Sequence, residues 1–176
     1  MKLPRILLAA GASGSGKTLI TCGLLQALVN RGLKVASFKC GPDYIDPMFH
    51  SQVIGTKSRN LDTFFTGKNR TRYLLEKNGE GADLAVMEGV MGYYDGVGGT
   101  TFLASAYDLA DTTDTPVILI VNSKGMSVSL AAYIKGFVEY QKESHIKGVI
   151  FNQMSPSPDE KNDRKYSSGK GSWICA

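Results

Sequence analysis

The sequence predicts an α/β fold, a mostly parallel sheet with helices on both faces. Three observations lead there. Short apolar runs at residues 6–10, 84–87, 116–121 and 149–151 alternate with stretches whose apolar residues recur at helical spacing. The run Pro-Val-Ile-Leu-Ile-Val at 116–121 is apolar throughout, which suits a parallel strand covered on both sides. A glycine-rich octet, Gly-Ala-Ser-Gly-Ser-Gly-Lys-Thr at 11–18, stands between the first apolar run and the first helical stretch.

Strand, glycine loop, Lys-Thr and helix in that order make a P-loop, and with it a P-loop NTPase-like fold. Gly11, Gly14 and Gly16 let the backbone curl, so that N–H groups around Ser13 and Ser15 point at one cluster of phosphate oxygens. The helix N-terminus adds its positive dipole end. Lys17 is placed to reach the β- and γ-phosphates, and Thr18 to put a hydroxyl on magnesium. ATP and Mg²⁺ are therefore the expected cofactors.

The remaining elements follow in order. Residues 19–31 carry Leu19, Ile20, Leu24, Leu25, Leu28 and Val29 at helical spacing, and Gly32 ends that helix. Residues 35–38 form a second strand closed by Lys39. The loop from Cys40 to Pro47 holds two prolines, a glycine, Asp43 and Asp46, and Pro47 opens a short helix through Phe49 and Val53. Residues 55–60 are polar and basic. Asp62 or Thr66 caps a helix whose surface turn spans 70–77. The strand at 84–87 ends at Glu88 and gives way to a loop rich in glycine and tyrosine at 89–99. Helices are expected at 102–110 and 127–142, and the last strand ends at Asn152. Residues 1–154 read as one domain; 155–176 are polar and aperiodic, and read as a disordered or aberrant tail.

Ligands of such sheets collect at the C-terminal ends of the strands. Asp43, Asp46 and Glu88 lie there, and with Thr18 the carboxylates of Asp46 and Glu88 are candidate magnesium ligands, unless they are loop acids or helix caps. Lys39 bridges γ-phosphate and a substrate carboxylate, or is a lysine exposed at a strand end. Asn152 offers its amide to an adenine edge, or forms a turn. Tyr93 and Tyr94 line a substrate pocket or anchor their loop. His50 and His145 are isolated, with no second ligand at metal spacing; His50 reads as a packed or surface side chain.

Composition excludes several classes. The net charge of +4 is modest, part of it lies in the tail, and no basic stripe marks a nucleic-acid binder. No stretch is long enough to span a membrane. Cys22, Cys40 and Cys175 form no disulfide framework, which points to a reducing, cytoplasmic setting.

The segment Lys-Cys-Gly-Pro-Asp-Tyr-Ile-Asp-Pro-Met-Phe at 39–49 resembles the N-terminal synthetase domain of cobyrinic acid a,c-diamide synthases. Ser-Arg-Asn-Leu-Asp at 58–62, Glu-Gly-Val-Met-Gly-Tyr-Tyr-Asp-Gly at 88–96 and Phe-Asn at 151–152 match as well. The wider superfamily includes dethiobiotin synthetase and the MinD/ParA ATPases. The resemblance implies ATP- and Mg²⁺-dependent amidation of the a and c acetates of cobyrinic acid in cobalamin biosynthesis. ATP phosphorylates a carboxylate, and ammonia displaces the phosphate. The ammonia comes from a glutaminase domain that these residues do not include. Asp43, Tyr44, Ile45, Asp46, Glu88 and Asp95 fall on positions important in the family, with Tyr44 and Ile45 on the substrate side. Asn122 stands where the family usually shows an aspartate. A related tetrapyrrole such as a nickel-sirohydrochlorin is the neighbouring substrate reading, and a homodimer is compatible with it. A MinD/ParA-like switch is the competing function, although such proteins usually carry a second lysine where this chain has Ala12.

Overall fold

In the computed structural model, which describes residues 3–154 and the strand Trp173–Ile174, six parallel strands form one sheet in the order β3-β2-β4-β1-β5-β6. The strands are β1 (Arg5–Ala10), β2 (Val35–Cys40), β3 (Lys57–Leu61), β4 (Leu84–Glu88), β5 (Val117–Asn122) and β6 (Ile146–Asn152). β7, Trp173–Ile174, pairs antiparallel with β6, opposite Ile150 and Val149. The expectation for the rest of the 155–176 tail lies outside the described residues.

The helices are α1 (Lys17–Asn30), α2 (Ile45–Phe49), α3 (Thr63–Gly79), α4 (Ala106–Thr113) and α5 (Ser129–Glu139). Right-handed crossovers dictate their sides. The chain moves one way along the sheet from β1 to β2 to β3, so α1 and α2 cover one face. It then reverses through β4, β5 and β6, so α3, α4 and α5 cover the other. Accordingly Leu8, Leu25, Val86 and Ile120 pack with Ile20, Leu24 and Leu28 on the α1 side. Leu7, Leu75, Met87, Leu109 and Leu119 pack with Leu130, Tyr133 and Phe137 on the other. The reversal lies between β1 and β4, whose C-terminal ends feed helices on opposite faces and leave a crevice.

Four elements differ from the sequence reading. α4 starts at Ala106 and not at 102, because the Ser105 hydroxyl oxygen caps it by accepting the Asp108 N–H. β3 falls in the stretch read only as polar and basic. It is an edge strand whose Lys57, Arg59 and Asn60 are exposed while Ser58 and Leu61 point inward, so it carries no apolar run. α2 starts at Ile45, two residues before Pro47, because Asp43 Oδ1 accepts the N–H groups of Ile45 and Asp46. It then widens into a π-helical turn, His50–Ile54. α3 begins directly after Asp62, whose carboxylate accepts from Phe64 and Phe65 N–H, and is kinked at Gly67.

Candidate active site

The register of β2 and β4 builds the centre of the site. Lys39 and Glu88 are Cα partners on these neighbouring strands, so both side chains leave the sheet side by side toward α1. Lys39 is only 5% exposed and Glu88 not at all. The Lys39 ammonium donates to Glu88 Oε1 at 2.8 Å, ion-pairs with Asp46, and lies 3.7 Å from Asp43. Thr18, in the first turn of α1, donates its hydroxyl to the same Glu88 Oε1 at 2.7 Å. Burial raises the Glu88 pKa above the usual carboxylate value in spite of the adjacent ammonium. Burial pulls on Lys39 too, but Glu88 and Asp46 outweigh it and hold the lysine pKa above normal.

The glycine loop sits beside this cluster. Gly14 and Gly16 take φ values of 77° and 92°, left-handed conformations that other residues adopt only at a cost. Ser15 donates its hydroxyl to Ala12 O, while Gly11 and Ser13 lie on the more accessible limb of the loop. A Cβ on Gly16 would overlap the amide nitrogen of Asn152, which donates to Ser15 O at 2.9 Å. Asn152 is thus tied to the glycine loop from the end of β6. Lys17 donates to Met91 O at 2.7 Å, across to the loop after β4. Burial and then the nearby Lys39 charge lower its pKa.

Residues 90–91, 95–99 and Ala104 form one wall of a cleft of about 450 Å³ lined also by Gly41, Pro42 and Asp62. Asp95 lies in that wall and accepts the Gly92 N–H at 3.0 Å, which fixes the turn. Tyr44 and Ile45, at the start of α2 between Asp43 and Asp46, are 81% and 70% exposed.

The tyrosines require a correction. Tyr93 has no exposed surface and donates its hydroxyl to Ser144 O at 2.6 Å, so it cannot line a substrate pocket. Tyr94 donates to Phe137 O at 2.7 Å and packs among Phe102, Tyr107, Phe137 and Tyr140. Both anchor their own loop, 89–99, to the α4–α5 side. The reason is the turn fixed by Asp95, which directs the two rings into the core rather than toward the cleft.

The donor set partly suits magnesium. Thr18 and Glu88 are adjacent hard oxygen donors, as the ion prefers. Asp46 is engaged by Lys39 and has to exchange that partner before it can face a metal. Among the described residues no group of three or more His, Cys, Asp or Glu side chains could hold an ion, so a metal here relies on nucleotide oxygens and water.

His50 is a member of the site that sequence reasoning set aside. It is completely buried, with Nε2 3.7 Å from Glu88 Oε2 and Nδ1 3.4 Å from Ser37 Oγ. Burial, which disfavours the charged ring, lowers its pKa. The available signal was the spacing of Ser37 and Lys39, two apart on one strand and therefore on one face, with a lone histidine in the following helical segment. The carbonyl of Met91, another missed participant, leaves no side-chain signal at all.

Comparison with known proteins gives the family and the fold. The profile of the "CobQ/CobB/MinD/ParA nucleotide binding domain" matches residues 6–167. The cobyrinate a,c-diamide synthase of Listeria innocua is 46% identical over 152 residues, which is 86% of this chain and 34% of that protein. The hydrogenobyrinate a,c-diamide synthase of Streptomyces coelicolor is 44% identical over 158 residues, 90% of this chain and 32% of that protein. The chain thus spans about a third of the length of these relatives. Among solved structures, the signal recognition particle 54 kDa protein of Aeropyrum pernix, in complex with GDP, superposes with a TM-score of 0.61 at 22% identity, covering 89% of this chain and 37% of that one. The receptor FtsY of Elizabethkingia anophelis gives 0.61 at 13% identity, with 85% and 50% covered. These last two show the fold alone. Among the described residues no helix is long and apolar enough to cross a membrane.

Proposed function

Since the chain belongs to the CobQ/CobB/MinD/ParA nucleotide-binding domain family, we propose that it is the ATP-dependent synthetase part of a cobyrinic acid a,c-diamide synthase. The observation that carries the reading is the Thr18–Glu88–Lys39–Asp46 cluster, set between the glycine loop and an open cleft. The identity to relatives named cobyrinate a,c-diamide synthase supports the substrate.

A carboxylate is a poor acyl donor because its leaving group is oxide. In the proposed reaction a carboxylate oxygen of the a or c acetate attacks the γ-phosphorus of ATP, and ADP leaves. Ammonia then attacks the acyl carbon, phosphate leaves with the C–O bonding pair, and the nitrogen loses a proton to give the amide. Positioning and charge neutralisation supply most of the catalysis. Lys17 exchanges the Met91 carbonyl for the phosphates. Lys39, reaching from the strand end, neutralises charge where the γ-phosphoryl group meets the substrate carboxylate. Thr18 and Glu88, joined by Asp46 once it leaves Lys39, would hold a magnesium ion, which would offset the charge on the phosphates. Asp43 keeps the α2 loop in place, and Asp95 does so for the cleft wall. Tyr44 and Ile45 offer apolar area to the rim of a tetrapyrrole, and Asn152 serves the nucleotide side. Ammonia comes from a glutaminase domain. Ala12, where MinD/ParA switches usually carry a lysine, favours the ligase over a switch.

The test is incubation with cobyrinic acid, MgATP and ammonium, followed by mass spectrometry. One or two amidations, each matched by one ADP, are expected. ATP hydrolysis without any amide product would overturn the proposal in favour of a switch.

A further inference from the structure

Behind Lys39 and Glu88 runs a second polar line, from Glu88 through His50 and Ser37 to Thr56, and to the last three the chemistry above assigns no part. His50 and Glu88 both have no exposed surface, and His50 Nε2 and Glu88 Oε2 have no hydrogen-bond partner although they face each other at 3.7 Å. A bridging water does not fit, since two hydrogen bonds in series need roughly 4.5–6 Å between their ends. The two atoms are less than about 1 Å beyond direct hydrogen-bond distance. On the far side of the ring, Ser37 Oγ lies 3.4 Å from Nδ1 and 3.1 Å from Thr56 Oγ1, and Thr56 Oγ1 donates to His50 O at 3.1 Å.

The hydroxyl protons choose between two arrangements. With the Thr56 proton on His50 O, the Ser37 proton goes either to Thr56 or to His50 Nδ1. In the first case Nδ1 must carry the ring proton, and the bare Nε2 lone pair confronts a buried carboxylate oxygen. In the second case Nε2 carries the proton and points it at Glu88. The second forfeits one bond between neutral hydroxyls and turns a lone-pair repulsion into attraction between the Nε2 proton and a carboxylate oxygen 3.7 Å away. The π-helical turn His50–Ile54 turns the ring inward, and such turns concentrate at functional sites.

We propose that His50 is a positioning residue for Glu88: Ser37 sets the tautomer, and the Nε2–H holds Glu88 Oε2 so that Oε1 stays aimed at Thr18 and Lys39. Outer partners of this kind orient a ligand without touching what it binds. The consequence for nucleotide binding rests on the role of Glu88 proposed above; the tautomer and its contact with Glu88 do not.

The chain has two histidines, His50 and His145, so side-chain nitrogen NMR of the ¹⁵N-labelled full chain, with His145→Gln to assign the signals, reads the tautomer directly. A protonated ε nitrogen on His50 whose signal moves in Glu88→Gln is expected. A δ-protonated ring, or an ε signal indifferent to Glu88→Gln, overturns the proposal. Calorimetry supplies the second arm. His50→Leu should lose at least about tenfold of the gain that magnesium gives to ATP affinity, with metal-free ATP affinity unchanged. His50→Gln, which keeps an amide donor near the ε position, should retain most of that gain. Equal magnesium dependence in His50→Leu and the parent also overturns it. A parent that binds no ATP defeats the ligase reading, and the NMR arm still decides this one.

Discussion

Replacing Lys39 with Met leaves Glu88, which has no solvent exposure, without the ammonium 2.8 Å from its Oε1. Removing one partner of a buried ion pair costs about 3–5 kcal/mol, because the other charge stays behind in a dry place. Asp43 and Asp46 are partly exposed and can turn to water, so Glu88 is the stranded charge, and it keeps the Thr18 hydroxyl. Those two facts put the expected loss at the low end, about 3 kcal/mol, or roughly 6–12 °C in Tm for a domain of this size. Lys39→Met combined with Glu88→Gln removes the stranded charge. The double variant should therefore be more stable than the sum of the single changes by at least about 1.5 kcal/mol. The pH dependence has a definite sign. Burial raises the Glu88 pKa in the fold, and a raised carboxylate pKa favours the folded state at low pH and loses that advantage as pH rises through the folded value. The Lys39→Met deficit should hence shrink as pH falls from neutral toward the ordinary glutamate value of about 4.3. Urea denaturation of the four proteins at several pH values measures all of this. A Lys39→Met loss under about 1 kcal/mol, or additivity within about 0.5 kcal/mol, would refute the reasoning.

Three other perturbations give separate readouts. Gly16→Ala forces a side chain into φ 92° and against the Asn152 amide, and should reduce ATP affinity more than about tenfold, roughly 1.4 kcal/mol by calorimetry; unchanged affinity contradicts the assigned loop geometry. Tyr93→Phe loses the buried bond to Ser144 O and should cost about 1–2 kcal/mol of stability without altering ATP binding, whereas a changed substrate KM at unchanged stability would restore Tyr93 to the substrate side. Burial and Lys39 lower the Lys17 pKa, and phosphate oxygens would raise it again, so ATP binding should take up protons and weaken as pH rises through the lowered value. Calorimetry in alkaline buffers of different ionisation enthalpy reads that uptake, and binding without it argues against a Lys17–phosphate contact.

The sequence by itself determined five of the six parallel strands, the first helix and the glycine loop at 11–18, because each rests on local chemistry. The uninterrupted apolar run at 116–121 is β5, the helical spacing after Thr18 is α1, and Asp62, one of the two caps the sequence allows, caps α3. It also placed Lys39, Asp43, Asp46 and Glu88 at strand ends on the functional side. It did not reveal β3, since an edge strand with three exposed polar residues carries no apolar signal. Nor did it distinguish Tyr93 in the core from Tyr93 in a pocket, because adjacent tyrosines in a glycine loop can face either way until Asp95 fixes the turn. Only the tertiary structure decided what the charges meet. Lys39 opposes Glu88 through the register of two strands distant in sequence, and Lys17 finds the Met91 carbonyl on a loop 74 residues away. His50 reaches the carboxylate through a widened helical turn whose spacing has no sequence period. Periodicity and capping act within a few residues, whereas a buried charge is defined by the neighbours that replace water, and those come from everywhere in the chain.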